Sequence, residues 1–147
     1  MWGINYLTKG KFELPHLQDY VKEGTSTNTS IGNYFSTMLD QSMNWKDAEK
    51  LCSQWGGHFA LKGIMSVEDA KKAVDIGCTG IMVSNHGGRQ LDGSRSPFDQ
   101  LKEIVDAVGD KIDVICEGGF QRGTHMLKAL SIGCLLYTSP SPRDWLQ

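Results

Sequence analysis

One pattern recurs along the middle of the chain. A short apolar run stops at polar or glycine residues, and an amphipathic helix with its own start and stop signals follows. Ile81-Met82-Val83 is such a run. It leads into Ser84-Asn85-His86-Gly87-Gly88-Arg89-Gln90-Leu91-Asp92 and then the helix start Ser96-Pro97-Phe98-Asp99. Phe59-Ala60-Leu61 opens an earlier repeat, and Ile112, Val114 and Ile115 open a later one. Short apolar runs bounded by turn residues read as buried strands. Strands alternating with helices build βα units on a parallel sheet. The residues alone fit two α/β architectures, an open doubly wound sheet or part of a (β/α)8 barrel.

The helices are signalled by their caps and stripes. Asn44 starts one, with Asp47 at the positive end of its dipole and Trp45, Ala48, Leu51, Cys52 and Trp55 at helical spacing before Gly56-Gly57. The tryptophans are expected in the core. Ser66 caps the next, with Asp69 three residues on and Val67, Ala70, Ala73 and Val74 as its inward stripe. Ser96 caps the third, Pro97 takes its first position, and Phe98, Leu101, Ile104, Val105 and Val108 form its apolar face. Thr124 leads into a last helix, with Met126, Leu127 and Leu130 expected inward.

Chemistry concentrates where the Ile81–Val83 strand ends. His86 and Arg89 leave that end together, and in parallel α/β architectures ligands bind at the carboxyl ends of strands. A neutral imidazole accepts a proton near pH 7. A guanidinium holds a carboxylate through two parallel hydrogen bonds. Gly87 and Gly88 let backbone approach a ligand closely. Taken singly, an exposed His is usually structural and an exposed Arg usually a solvated charge.

Three motifs in order carry a resemblance. Leu61-Lys62-Gly63, the stretch Ser84–Asp92 and Glu117-Gly118-Gly119-Phe120-Gln121-Arg122-Gly123-Thr124 each follow an apolar run. Together they resemble the FMN-dependent α-hydroxy acid dehydrogenases and oxidases, in wording closest to the bacterial L-lactate dehydrogenases. The likeness is good over residues 44–133 and weak before them. It implies part of a TIM (β/α)8 barrel, a C-terminal-half fragment of an FMN-binding barrel. It implies oxidation of a small L-2-hydroxy acid, L-lactate first among them, with FMN as cofactor. The electron acceptor is left open between a quinone, a cytochrome and oxygen, and the parent protein is expected to be a homo-oligomer. His86 would be the active-site base and Arg89 the substrate-carboxylate ligand. Lys62, Glu117, Gly118, Gly119, Gln121 and Arg122 would contact the cofactor, Lys62 at the flavin ring and the glycines and Arg122 at the phosphate. Two residues depart from the family wording. Glu117 stands where Asp is usual, and Gln121 where the first of two arginines is common.

The chain has 147 residues, fewer than the roughly 250 of a complete barrel. Its net charge of −2 gives no footprint for nucleic acid. Its start has no basic segment and apolar stretch of a secretory leader, so a cytoplasmic enzyme is expected, or one peripheral on the inner face of a bacterial membrane. Cys52, Cys78, Cys116 and Cys134 lack metal-ligand spacing, and the first three read as reduced thiols in or near the core. Residues 1–43 read as an irregular segment, with a polar loop over 24–33 that is a linker or a lid. Residues 134–144 match a translated transposase end and library adapter, so 134–147 are expected to be technical sequence. As written, the chain is expected to be an inactive fragment of an enzyme.

Overall fold

The computed structural model describes residues 39–138. The readings for residues 1–38 and for 139–147 lie outside the described residues. Four helices and four strands alternate: α1 (Trp45–Trp55), β1 (Ala60–Lys62), α2 (Val67–Asp75), β2 (Gly80–Val83), α3 (Pro97–Val108), β3 (Asp113–Glu117), α4 (Gly123–Ile132) and β4 (Leu136–Thr138). A single 3-10 turn, His86–Gly88, interrupts the connection from β2 to α3.

The helix starts form as their side chains dictate. Asn44 accepts from the Lys46 amide, and the Asp47 carboxylate returns a bond to the Asn44 amide at 2.9 Å, a complete capping box. Ser66 Oγ accepts from the Asp69 amide at 3.1 Å and Ser96 Oγ from the Asp99 amide at 3.2 Å. Each bond satisfies a backbone donor that the first helical turn leaves orphaned. Gly56 and Gly133 close α1 and α4 in left-handed conformations that suit glycine.

The sheet order is β1-β2-β3-β4, with every neighbouring pair parallel. Sequence order equals spatial order, so no strand reverses direction of growth, as a doubly wound sheet requires. Helix α2 packs on α3 and α3 on α4, so these three helices share one face. This is the wall of a barrel, and it decides between the two architectures that the residues left open.

Register sorts the side chains into two faces. Leu61, Ile81 and Val114 are level with one another, and Val83 is level with Cys116. Of these, Ile81, Val83, Val114 and Cys116 are buried against the helix layer with Ala70, Ala73, Leu101, Ile104 and Val108. On the other face Lys62, Met82 and Ile115 are level. There Lys62 is exposed and Met82 and Ile115 are half-buried, and this face is the one that would line a barrel interior.

Some inward expectations fail. Trp55 is exposed and its indole Nε1 donates to the His58 carbonyl at 3.0 Å, beyond the last turn that packs on the core. Trp45 does meet the core, and the Lys72 ammonium lies 5.7 Å above its ring. In α4, Ala129 is buried and Met126 half-buried, whereas Leu127 and Leu130 are exposed. Ala129 belongs to the core and Met126 packs against it, and α4 is in contact with α3. Leu51 in α1 and Phe98 in α3 are exposed as well. All four cysteines are free and buried, as expected for the first three. β4 falls inside the segment 134–147. Leu135 N, just before it, donates to the Val114 carbonyl at 3.0 Å.

Candidate functional site

The carboxyl ends of β1, β2 and β3 carry the residues singled out from sequence. Lys62 ends β1, His86 and Arg89 follow β2, and Glu117 ends β3 ahead of Gly118 and Gly119. Parallel strands bring these ends to one edge although up to 60 residues separate them, Lys62 to Arg122.

The structure joins two of them directly. Lys62 Nζ lies 3.0 Å from Glu117 Oε1, with the two side chains 52% and 28% exposed. Ser84, the residue after β2, is buried. Its Oγ accepts from the His86 amide at 3.2 Å, and its hydroxyl is near enough to the Glu117 carboxylate to lower that group's proton affinity. These contacts hold the Glu117 carboxyl below the ordinary glutamate range. The Ser84 hydroxyl contributes most, then the hydrogen bond from Lys62, with the charges of Lys62 and His86 adding to it. The Ser84 hydroxyl also holds the backbone at the start of the 3-10 turn.

His86 is exposed and has φ of 57°, the one positive φ at a non-glycine among the described residues. Such a backbone costs an L-residue of this kind about 1 kcal/mol or more and persists where surroundings hold it. Gly87 and Gly88 continue in the left-handed region. Arg89 closes the turn through its amide to the His86 carbonyl at 3.4 Å, with its side chain exposed. The loop beyond is tied down by residues without an obvious motif. Asn85 Nδ2 donates to the Arg95 carbonyl at 3.3 Å, and Arg95 in turn bonds the Asp99 carbonyl and Glu103.

At the end of β3 the chain opens. Gly118 and Gly119 have φ of 106° and 72°, and a Cβ at Gly119 would meet nothing within 4 Å. Arg122 sits at the N-cap of α4 with no side-chain cap, so the first amides of the helix keep no side-chain acceptor. The Gln121 amide points to His125 Nδ1 at 3.5 Å. A cavity of about 210 Å³ is lined by Phe98, Gly118, Gly119, Phe120, His125 and Lys128. Uncapped amides, a glycine pair and an exposed guanidinium are the donor set that an anionic phosphate needs. The residues present therefore fit FMN at its phosphate end, and Lys62 places a cation at the same sheet edge. Phe98, Phe120 and Lys128 were not anticipated as lining residues, since their placement depends on how α3 and α4 meet.

The buried thiols stand apart from this chemistry. Burial pushes Cys78 up to about 11 and Cys116 up to about 12, with the nearby Cys52 and Cys134 adding respectively. Thiols this far above neutral pH hold almost no thiolate and are poor nucleophiles.

Comparison with known proteins bears on the same edge. A family model described as FMN-dependent dehydrogenase matches residues 3–136. The chain is 41% identical over 122 residues to an L-lactate dehydrogenase of Caulobacter sp., a match covering 81% of this chain and 32% of that protein. It is 45% identical over 117 residues to an L-lactate oxidase of Nostoc sp., covering 80% of this chain and 32% of that protein. Among solved structures, mandelate oxidase with benzoyl-formic acid superposes with a TM-score of 0.66 at 42% identity, over 70% of this chain and 31% of that one. The chain thus spans about a third of the length of these relatives. A parallel barrel wall bearing the three motifs in order, matched over nearly its whole length, makes this chain a member of the FMN-dependent dehydrogenase family, the FMN-dependent α-hydroxy acid oxidoreductases.

Proposed function

We propose that the protein to which this chain belongs oxidises a small L-2-hydroxy acid, L-lactate to pyruvate in the first instance. One observation carries the reading: Lys62, His86, Arg89, Glu117 and the Gly118-Gly119 turn stand at the carboxyl ends of three adjacent parallel strands. His86 takes a proton from the substrate as general base. Arg89 offers two parallel N–H donors to the substrate carboxylate and so fixes which end of the molecule faces His86. Lys62 places a fixed positive charge at the flavin ring. The amides of Gly118 and Gly119, the start of α4 and Arg122 hold the phosphate, with Gln121 hydrogen-bonding where an arginine is common. FMN, when bound, supplies the acceptor for the two electrons removed from the substrate.

The electron acceptor divides two readings. Transfer to a quinone or cytochrome makes the enzyme a dehydrogenase, for which a cytoplasmic or inner-membrane-peripheral location and a homo-oligomeric state are proposed. Transfer to oxygen makes it an oxidase, a reading favoured by the similarity to the Nostoc L-lactate oxidase. The test is lactate-dependent reduction of a dye by the full-length protein, with peroxide measured in air. Dye reduction without peroxide supports the dehydrogenase, stoichiometric peroxide supports the oxidase, and no reduction by any 2-hydroxy acid removes both. His86→Gln is expected to lower kcat by about 10²-fold or more with FMN still bound; unchanged turnover would take His86 out of the mechanism.

A further inference from the structure

We propose that Arg95 is a positioning residue of the site, a clasp that closes the loop carrying His86 and Arg89 at its neck and fastens it to α3. The proposal rests on the functional reading of His86 and Arg89 above. Its own basis is a run of hydrogen bonds that leads from the loop to the core.

The first link closes the loop. It begins at Asn85 and returns at Arg95, ten residues on. Compact surface loops of this length keep their ends close together. Here the ends meet through one bond, from Asn85 Nδ2 to the Arg95 carbonyl at 3.3 Å. An asparagine at the start of a helical turn commonly spends its side chain on the amides of that turn. Asn85 precedes the His86–Gly88 turn yet makes no such cap bond. Its half-buried side chain serves the neck of the loop instead.

The second link fixes the neck to a helix. Arg95 Nη2 donates to the Asp99 carbonyl at 2.9 Å and to Glu103 Oε1 at 3.3 Å. Both acceptors lie in the first two turns of α3. The same helix buries Leu101, Ile104 and Val108 completely. The guanidinium is therefore tied to an element that the core holds still, while the carbonyl of the same residue holds the loop.

The Arg95–Glu103 pair is exposed, and such a pair is weak by itself. Its effect comes from where it acts. His86 follows Asn85 directly and has φ of 57°, a conformation that persists where surroundings hold it. The bonds inside the loop, from the Gly88 amide to the Asn85 carbonyl and from the Ser94 amide to the Leu91 carbonyl, shape turns without reaching α3. Base and carboxylate ligand ride on one loop, and a misplacement of about 1 Å is enough to slow catalysis. Arg95 acts on both through Asn85 and needs no contact with substrate.

The test uses the full-length protein in wild-type, Arg95→Ala, Arg95→Lys, Asn85→Ala, Glu103→Ala and Lys102→Ala forms. Lys102 pairs with Asp106 on the same helix, so its variant controls for loss of an exposed ion pair that does not involve the loop. Hydrogen exchange at the Gly88, Arg89 and Ser94 amides is read first, without FMN or turnover. Loss of one hydrogen bond corresponds to about a fivefold change in such rates. Arg95→Ala and Asn85→Ala are each expected to raise exchange by about that factor, and Lys102→Ala to leave it unchanged. The two links act in series, so combining Asn85→Ala with Arg95→Ala should again give about fivefold rather than the product. Both side-chain bonds of Arg95 leave one nitrogen, so the three donors of the ammonium in Arg95→Lys should restore most of the protection. With FMN loaded, Arg95→Ala should raise KM for lactate and lower kcat together. Unchanged loop exchange in Arg95→Ala would overturn the proposal. So would a lower Tm with loop exchange and KM at wild-type values, the result of a brace on α3 alone. If Arg95→Ala does not fold, Asn85→Ala and Glu103→Ala cut the same run of bonds at its two ends and decide on the same criteria. Loop exchange needs neither cofactor nor substrate, so failure of the proposal is distinct from failure of the enzyme assignment, which the His86→Gln and lactate experiments address.

Discussion

Arg89 and Glu117 show how differently two charged residues of one edge are employed. Arg89 is exposed at the end of a 3-10 turn, and among the described residues its guanidinium enters no ion pair. An unpaired fork is free to take a carboxylate in two-point contact, which a lysine cannot reproduce. Arg89→Lys in the full-length enzyme is expected to raise KM for lactate about tenfold or more, read from initial rates. An unchanged KM would mean the carboxylate is held elsewhere. Glu117, by contrast, is already engaged. Its carboxyl is depressed by Ser84 and Lys62, so its folded-state affinity for protons is below the unfolded one. Such a group adds stability above the ordinary glutamate range and loses it as pH falls through the depressed folded value. Wild type should therefore exceed Glu117→Gln in stability at neutral pH, by no more than about 1 kcal/mol for a pair this exposed. The difference should shrink as pH falls, and thermal melts at pH 7 and pH 3 would show it. A difference that grows in acid would contradict the sign.

At the scale of elements, the caps are as decisive as the stripes. Three helices start at Asn44, Ser66 and Ser96, and each side chain makes the bond that its position implies. Ser96→Ala is expected to cost about 1 kcal/mol. Because α3 holds Leu101, Ile104 and Val108 in the core and packs on both α2 and α4, the loss should appear as a lower Tm of the whole unit. No change in Tm would show that Pro97 alone fixes the start of the helix. These elements were legible because capping and periodicity are local physics, settled within one or two turns. The stripe of α4 was misread for the complementary reason. Met126, Leu127 and Leu130 are equally apolar, and which of them faces inward depends on where α3 lies. Likewise Trp55 satisfies the helical spacing of α1 yet sits past the point where that helix meets the core.

Among the described residues, α2, α3 and α4 cover one face of the sheet. Lys62, Ala60 and Asp113 on the other face are exposed, and Met82 and Ile115 are half-buried. Leu127, Leu130 and Leu135 add exposed apolar side chains beside the last strand. Among the described residues, this sheet with apolar flanks is not closed as a barrel closes to hide both. The isolated 147-residue chain is expected to bind a hydrophobic dye such as ANS and to melt without a sharp transition. A cooperative transition with no dye binding would show that the covered face alone suffices.

Sequence by itself determined the βα alternation, the capped helix starts, the buried thiols and the identity of the motif residues Lys62, His86, Arg89, Glu117, Gly118, Gly119, Gln121 and Arg122. Those properties are local, or are carried by wording that recurs across a family. Tertiary structure alone decided the growth of the sheet in one direction, the inward edge of α4, the cavity beneath Gly118 and Gly119, and the partnership of Lys62 with Glu117. Each of these depends on which strand lies beside which and in what register. A contact between residues 55 positions apart has no periodicity to announce it. It exists because parallel pairing brings the ends of β1, β2 and β3 to one edge, where Lys62 reaches Glu117 across β2.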